Sequence, residues 1–246
     1  MVKAAGQTAL QPCELRFVRP DELGALVALH RLVHANLESK EVFRFDSETF
    51  MQQHLGRRGR TVGAFTDGML IGYAAISFPG DDADNLGRDL PLPDDELAYV
   101  ADYDGSAVHP AFRGNRLQQK LTDIRHDYAL LNGRFHILGT VSPINPVSLG
   151  NFLAMGCRVR NIKRKYGGDL RFIIYRDLRD AAPQPLESTT FVDVVLTDEN
   201  RHARLLHLGF QGFRVVESAQ GPSLRLGLPA SIDAMEERSR SAAGSR

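Results

Sequence analysis

The chain has 246 residues, 43% of them hydrophobic, which suffices for one sizeable core and argues against general disorder. Thirty basic residues balance thirty acidic ones, so no bulk field holds nucleic acid or an anionic membrane, and any polyanion site must be local. No apolar run nears the ~20 residues that cross a bilayer, and the opening MVKAAGQTALQP lacks the apolar centre of a signal peptide. Cys13 and Cys157 are too few for a disulfide framework or a thiolate zinc site. The expectation is a cytoplasmic protein without a metal.

After a polar leader (1–13), LRFVR at 15–19 reads as a strand. Pro20-Asp21 opens a helix whose apolar positions Leu23, Leu26, Val27, His30, Val33 and Leu37 follow helical spacing, and residues 47–55 form a second short helix. His30 and His34 have the i, i+4 spacing of a metal pair, but HRLVH lacks the glutamate of a zinc-protease motif and His30 lies on the apolar face, so both read as structural. TVGAF (61–65) and MLIGYAAISF (69–78) flank Asp67-Gly68, a hairpin signal. Residues 79–96 read as a loop with seven carboxylates, a solvated surface that could also attract a cation. LAYVADYDGSAV then resumes a strand.

The stretch VHPAFRGNRLQQKL (108–121) runs from that strand through Pro110 and an Arg113-Gly114-Asn115 turn into a helix with Leu117, Leu121, Ile124, Tyr128 and Leu131 on one stripe. The unpaired N–H groups and positive dipole end of such a helix suit phosphate. FHILGTV (135–141) is an apolar strand, Asn145-Pro146 a helix start with Asn145 as N-cap, and Gly156 ends that helix. CRVRNIKRKY and LRFIIYRDL read as two more strands, the basic stretch 158–165 being a solvated face or a docking surface.

The order strand, two helices, three strands, helix, strand, helix, strand, strand belongs to an α/β (mixed α+β) fold, a mixed sheet with helices on both faces. Residues 14–178 resemble the GNAT superfamily of acyl-CoA N-acyltransferases. The resemblance rests on VHPAFRGNRLQQKL, where Val108, Pro110, Arg113 and Gly114 match a strand and loop that wrap the coenzyme A pyrophosphate, and Arg116 and Gln118 fill the usual small positions. It implies a splayed central sheet, acetyl-CoA as co-substrate, and backbone contacts to it from Val108 and from Arg113, Gly114, Asn115, Arg116, Leu117 and Gln118. SPINPVSLGNFLAMGC (142–157) resembles a second family segment. There Asn145 and Gly156 match, Phe152 stands where the family has a tyrosine that protonates the leaving thiolate, and Cys157 where it has phenylalanine. A phenyl ring cannot donate that proton.

Acyl transfer to an amine needs a proton acceptor beside it. Strand alternation places Asp102 and Asp104 on one side with Val108, and Tyr103 on the other, which makes the two aspartates the candidate bases; Asp104-Gly105 looks bulged. No Gly-x-Ser-x-Gly elbow, Walker loop or Cys-x-x-Cys pair points to hydrolase, ATPase or redox chemistry.

The family domain spans 14–180. Beyond it AAPQPLEST reads as a linker, and FVDVVLT, DENRHARLLHL and GFQGFRVV as a small strand–helix–strand extension (181–230) that packs on the main sheet or on a second subunit, with a mobile tail at 231–246. Asn200 to Phe210 echoes Asn145 to Cys157 in residue order but not in spacing, and chance explains the echo. The expected function is transfer of acetyl from acetyl-CoA to a primary amine of a small molecule, with no nucleic-acid or membrane partner and a homodimer left open. The rivals are a non-catalytic acyl-CoA-binding module, for which Phe152 argues, and a protein-modifying acetyltransferase.

Overall fold

The computed structural model describes residues 13–182 and 186–230. The leader up to residue 12, residues 183–185 of the linker and the tail 231–246 lie outside the described residues. The chain divides into two compact units, Met1–Ser142 and Pro143–Arg246.

The first unit holds five strands in sequential order: β1 (Glu14–Phe17), β2 (Gly59–Thr66), β3 (Met69–Ser77), β4 (Val100–Val108) and β5 (His136–Val141). β1 to β4 pair antiparallel, β4 and β5 parallel. Helices α1 (Leu23–Ala35) and α2 (Glu48–Gln53) cover one face, and α3 (Leu117–Leu131) covers the other. Leu26, Val27, Leu29 and Val33 of α1 and Met51 of α2 pack with Phe65, Leu70, Tyr73 and Ala107 of the sheet; on the other face Leu117 and Leu121 of α3 pack with Val62, Ala64, Ile71 and Ala74. A fully buried leucine such as Leu121 contributes about 1.5–3 kcal/mol, so the apolar stripe of α3 is what fixes its first turn on the sheet. Ser47 caps α2 by accepting from the Phe50 N–H.

The carboxylate-rich stretch 79–96 is a folded cover rather than an open loop. It contains a 3-10 turn at Leu86–Asp89, runs into a second at Asp94–Tyr99, and buries Asn85, Leu86, Gly87 and Leu90, with Leu97 of the second turn buried beside them. Asn85 holds it together, its side chain donating to Gly80 O (2.7 Å) and Leu97 O (3.2 Å). Several of its acids are already paired: Asp82 and Asp84 with Arg58, and Glu96 with His136.

The second unit holds α4 (Pro146–Ala154), β6 (Arg158–Lys165), β7 (Asp169–Asp177), β8 (Leu186–Val195), α5 (Glu199–His207), β9 (Gln211–Ser218) and β10 (Gly221–Pro229), with its strands in the order β7-β6-β9-β10-β8. The segment after residue 180 therefore joins the sheet that carries β6 and β7, and it ends in a hairpin, β9–β10, whose second strand the sequence pattern did not announce. PSLRLGLP lacks the β-branched and aromatic residues that mark a strand.

Candidate active site

β4 is the organising element. It pairs with β5 only at Val100–Tyr103, opposite His136–Gly139, and from Asp104 onward has no register partner in β5. On its other side the ladder with β3 skips: Ala74 faces Ser106 and Ile76 faces Tyr103, so Asp104 and Gly105 together oppose Ala75. This is a β-bulge at the point where the sheet splays. Ala75, left without a partner in β4, has its carbonyl satisfied by Arg125 Nη1 at 3.1 Å. Arg125 is fully buried, bonds Thr122 Oγ1 at 2.8 Å and lies 3.8 Å above the Tyr103 ring.

The bulge changes which way side chains point. The extra residue inverts the alternation beyond it, so Ala107 packs under α1 with Tyr73, while Val108 packs under α3 beside Leu117 and Leu121. Val108 thus lies across the sheet from Asp104, not on the same side as the alternation predicts.

The two candidate aspartates also separate. Asp104 is partly exposed, and its Oδ2 meets His54 Nε2 at 3.0 Å. His54, at the end of α2, is 1% exposed, and its Nδ1 donates to Phe50 O at 2.7 Å. A carbonyl can only accept, so Nδ1 carries a proton, and a second proton on Nε2 makes the ring a cation facing the carboxylate. Burial disfavours that charge, but the hydrogen bond and negative charge of Asp104 outweigh it, and the His54 pKa is raised. Asp102 is buried beneath the turn at Leu86–Asp89: Oδ2 is 3.4 Å from the Leu86 N–H and Oδ1 has no hydrogen-bond partner. Burial, with the Asp104 charge adding to it, pushes its carboxyl well above the usual range.

Three further polar groups converge on the bulge from α1, β3 and the segment before α2. Asp46 is buried, with Oδ1 held by Arg44 Nε at 2.7 Å. Burial raises its pKa and the Asp104 charge adds to this, against the pull of Arg44. The Asp46 backbone N–H donates to His30 Nε2 (3.0 Å), so His30 carries its proton on Nδ1 and gives it to Tyr73 Oη (2.7 Å). Burial first, then the His34 and Arg44 charges, hold His30 down at about 4, a neutral structural histidine as its apolar position suggests. A Cβ on Gly105 would sit 2.6 Å from Asp46 Oδ2, so only glycine lets that carboxylate approach the bulged backbone. A small cavity here is lined by Asp46, Phe50, His54, Tyr73, Ala75 and Gly105. The sequence reading missed His54, Asp46 and Tyr73; the local signals were Gly105 itself and a buried-face histidine at the end of a short helix.

The loop after β4 makes a 3-10 turn at Pro110–Phe112 and then enters α3. Gly114 has φ +82° and Arg116, the N-cap, has φ +56°. A non-glycine residue in the left-handed region stores strain, and such strain clusters at functional sites. No side chain caps α3. Its first intrahelical bond is Lys120 N–H to Arg116 O, 3.1 Å, which leaves the Leu117 and Gln119 N–H groups without an intrahelical acceptor. Arg113, Gly114 and Arg116 are exposed, and Asn115 ties the turn by donating to Phe112 O at 3.2 Å. The Leu117 side chain is core, so only its backbone is available to a ligand. Gln118 is half-buried. In the second unit, Asn145 caps α4 by accepting from the Ser148 N–H at 3.0 Å, and Phe152 is a buried residue of that helix. Among the described residues no group of three or more His, Cys, Asp or Glu is placed to hold a metal, and no helix is long and apolar enough to cross a membrane.

No protein-family model matches the chain, and no curated protein is similar to it in sequence. Solved structures do match. A GNAT-family acetyltransferase from Streptococcus pneumoniae superposes with a TM-score of 0.52 at 16% identity, over 68% of this chain and 99% of its own. A GNAT-like decarboxylase in complex with isobutyryl-CoA gives 0.51 at 17%, over 68% and 100%. The PaiA N-acetyltransferase of Thermoplasma acidophilum, in complex with coenzyme A, gives 0.50 at 15%, over 68% and 99%. These likenesses are of fold: the chain has the GNAT fold.

Proposed function

We propose that the protein is an acetyl-CoA-dependent N-acetyltransferase acting on a primary amine of a small molecule, with Asp104 as the proton acceptor and His54 as the residue that positions it. The observation that carries this reading is the Asp104–His54 pair at the bulge, beside the stretch of β4 that has left β5. The amine arrives as an ammonium ion and must lose a proton before it can attack a thioester. The carboxylates of Asp104 and Asp46 give that cation a negative site, and the His54 cation holds one oxygen of Asp104 so that the other stays free for the amine. The nitrogen then forms its bond to the acetyl carbonyl carbon, the carbon–sulfur bond breaks, and the thiolate leaves.

The uncapped N–H groups at the start of α3, with the Gly114–Arg116 turn ahead of them, are proposed to hold the pyrophosphate of acetyl-CoA. Val108 and the backbone from Arg113 to Gln118 belong to that assignment. Two of the structural neighbours are in complex with a coenzyme A compound, which supports the choice of co-substrate. Asp102 is buried beneath the turn at Leu86–Asp89 while Asp104 is partly exposed, so Asp104 is the carboxylate an arriving amine can reach. The test is thiol release from acetyl-CoA across a panel of amines, wild type against Asp104→Asn. Turnover with some amine, lost in the variant while coenzyme A still binds, is the expected result; equal rates remove Asp104 from the chemistry.

A second reading is a protein that binds acyl-CoA without transfer. Phe152 favours it, because a phenyl ring cannot protonate a departing thiolate. Calorimetric binding of acetyl-CoA with no thiol release from any amine, in both wild type and Phe152→Tyr, would establish it.

A further inference from the structure

The second unit contains the same module twice. Asn145 caps α4 by accepting from the N–H three residues on (3.0 Å), and Asp198 caps α5 in the same way (3.1 Å). Both helices have nine residues. Both end with the same two bonds, each 3.1 Å: Gly156 N–H to Leu153 O with Cys157 N–H to Phe152 O, and Gly209 N–H to Leu206 O with Phe210 N–H to Leu205 O. The two glycines sit at φ +88° and +89°. An eight-residue strand and a nine-residue strand follow in each case.

The hairpin registers coincide pair by pair. Arg158–Tyr175, Val159–Ile174, Asn161–Ile173 and Ile162–Phe172 in the first correspond to Gln211–Gly227, Gly212–Leu226, Arg214–Arg225 and Val215–Leu224 in the second. Arg160 is skipped in one ladder and Phe213, the corresponding residue, in the other, so even the bulge is repeated. The echo visible in the sequence fails on spacing only because Asn200 is not the cap; from the true cap, Asp198, the spacing to the glycine is the same as from Asn145.

The two copies meet about a local two-fold axis. β6 and β9 are antiparallel neighbours, and the residues opposite one another, Val159 and Gly212, are corresponding residues. α4 packs on β9 while α5 packs on β6. An interface in which the same patch meets itself, with each helix reaching across to the other's strand, is the geometry of a symmetric dimer. Here both halves belong to one chain.

We infer that residues 198–229 are a second copy of the module Asn145–Asp177, and that the β6 edge is a self-association surface whose partner the chain supplies to itself. The copy carries no counterpart of the Arg113–Gln118 loop and α3, since α5 is the one helix among the described residues beyond Asp177. It serves as a tethered partner, not as a second acyl-CoA site. With the β6 edge filled in cis, a second chain is excluded from it; with the copy undocked, the β6 of another chain fits the same slot.

Sedimentation of the full-length protein tests this. The wild type should run at the mass of one chain, 27.3 kDa; a two-chain particle whose cross-links map to 158–165 would overturn the inference. Replacing both His202 and Leu206, the two buried residues of α5, by aspartate should undock the copy and give a concentration-dependent two-chain particle. A folded variant that stays single-chain at all concentrations would overturn it. Hydrogen exchange on the wild type decides the matter if that variant aggregates. β6 and β9 amides should open with one common free energy, and β9 opening while β6 stays protected would show that β6 needs no partner.

Discussion

His54 Nε2 lies 3.0 Å from Asp104 Oδ2, joining the end of α2 to the bulge of β4 across 50 residues of sequence. His54 is anchored on its other side by Phe50 O and is almost wholly buried, so its ring has one orientation to offer Asp104.

If Asp104 accepts the proton and His54 holds it in place, the two substitutions differ in kind. Asp104→Asn should lower kcat/KM roughly 10²-fold or more while coenzyme A affinity is retained. His54→Gln, which can still donate to Oδ2, should keep more activity than His54→Ala. Steady-state kinetics on folded variants separate these outcomes; equal activity of His54→Gln and His54→Ala would deny the positioning role.

The same pair sets a pH dependence of stability. The His54 pKa is raised on folding, so the folded state binds the proton more tightly than the unfolded chain does. Its contribution is fully present below the ordinary histidine pKa and is lost as pH rises through the folded value. Urea midpoints of wild type and His54→Gln should therefore converge on going from pH 6 toward pH 9.

His30 works in the opposite direction. Its pKa falls to about 4 in the folded protein, so between that value and the ordinary ~6.5 the unfolded chain binds more protons, and stability falls as pH falls. The loss between pH 7 and pH 5 is at most roughly 2 kcal/mol. His30→Gln keeps a hydrogen-bonding side chain without the titration and should flatten the profile over that window, as measured by denaturant melts.

The turn before α3 allows a test by backbone alone. Arg116 already stores strain at φ +56°, so Arg116→Gly relieves it and leaves the N–H groups in place. Gly114→Val imposes a β-branched residue at φ +82°. Calorimetry should find coenzyme A affinity within about threefold of wild type for the first, and weakened about tenfold or more for the second.

Local order carries the parts that the sequence makes legible. The Asp67-Gly68 hairpin, the Leu117 and Leu121 end of the α3 stripe and the Asn145 cap are each written within a few neighbouring residues, and so is the GNAT element order through Asp177; the far end of the stripe departs from its pattern, Leu131 being 85% exposed. The site is different. Asp46, His54 and Tyr73 reach Asp104 through strand register, and the bulge that decides which way Val108 faces is a property of two strands together. The repeat in the second unit is hidden for another reason. Of its corresponding positions only Leu153 and Leu206, and Gly156 and Gly209, are identical, while the backbone geometry is preserved with other residues.

The most direct measurement is thiol release from acetyl-CoA across an amine panel, run side by side on wild type and Asp104→Asn with coenzyme A affinity measured on both. The account predicts turnover with at least one cationic amine in the wild type, its loss by roughly 10²-fold in the variant, and equal affinity. Acetyl-CoA binding with no turnover for any amine, or turnover that Asp104→Asn leaves untouched, would contradict it.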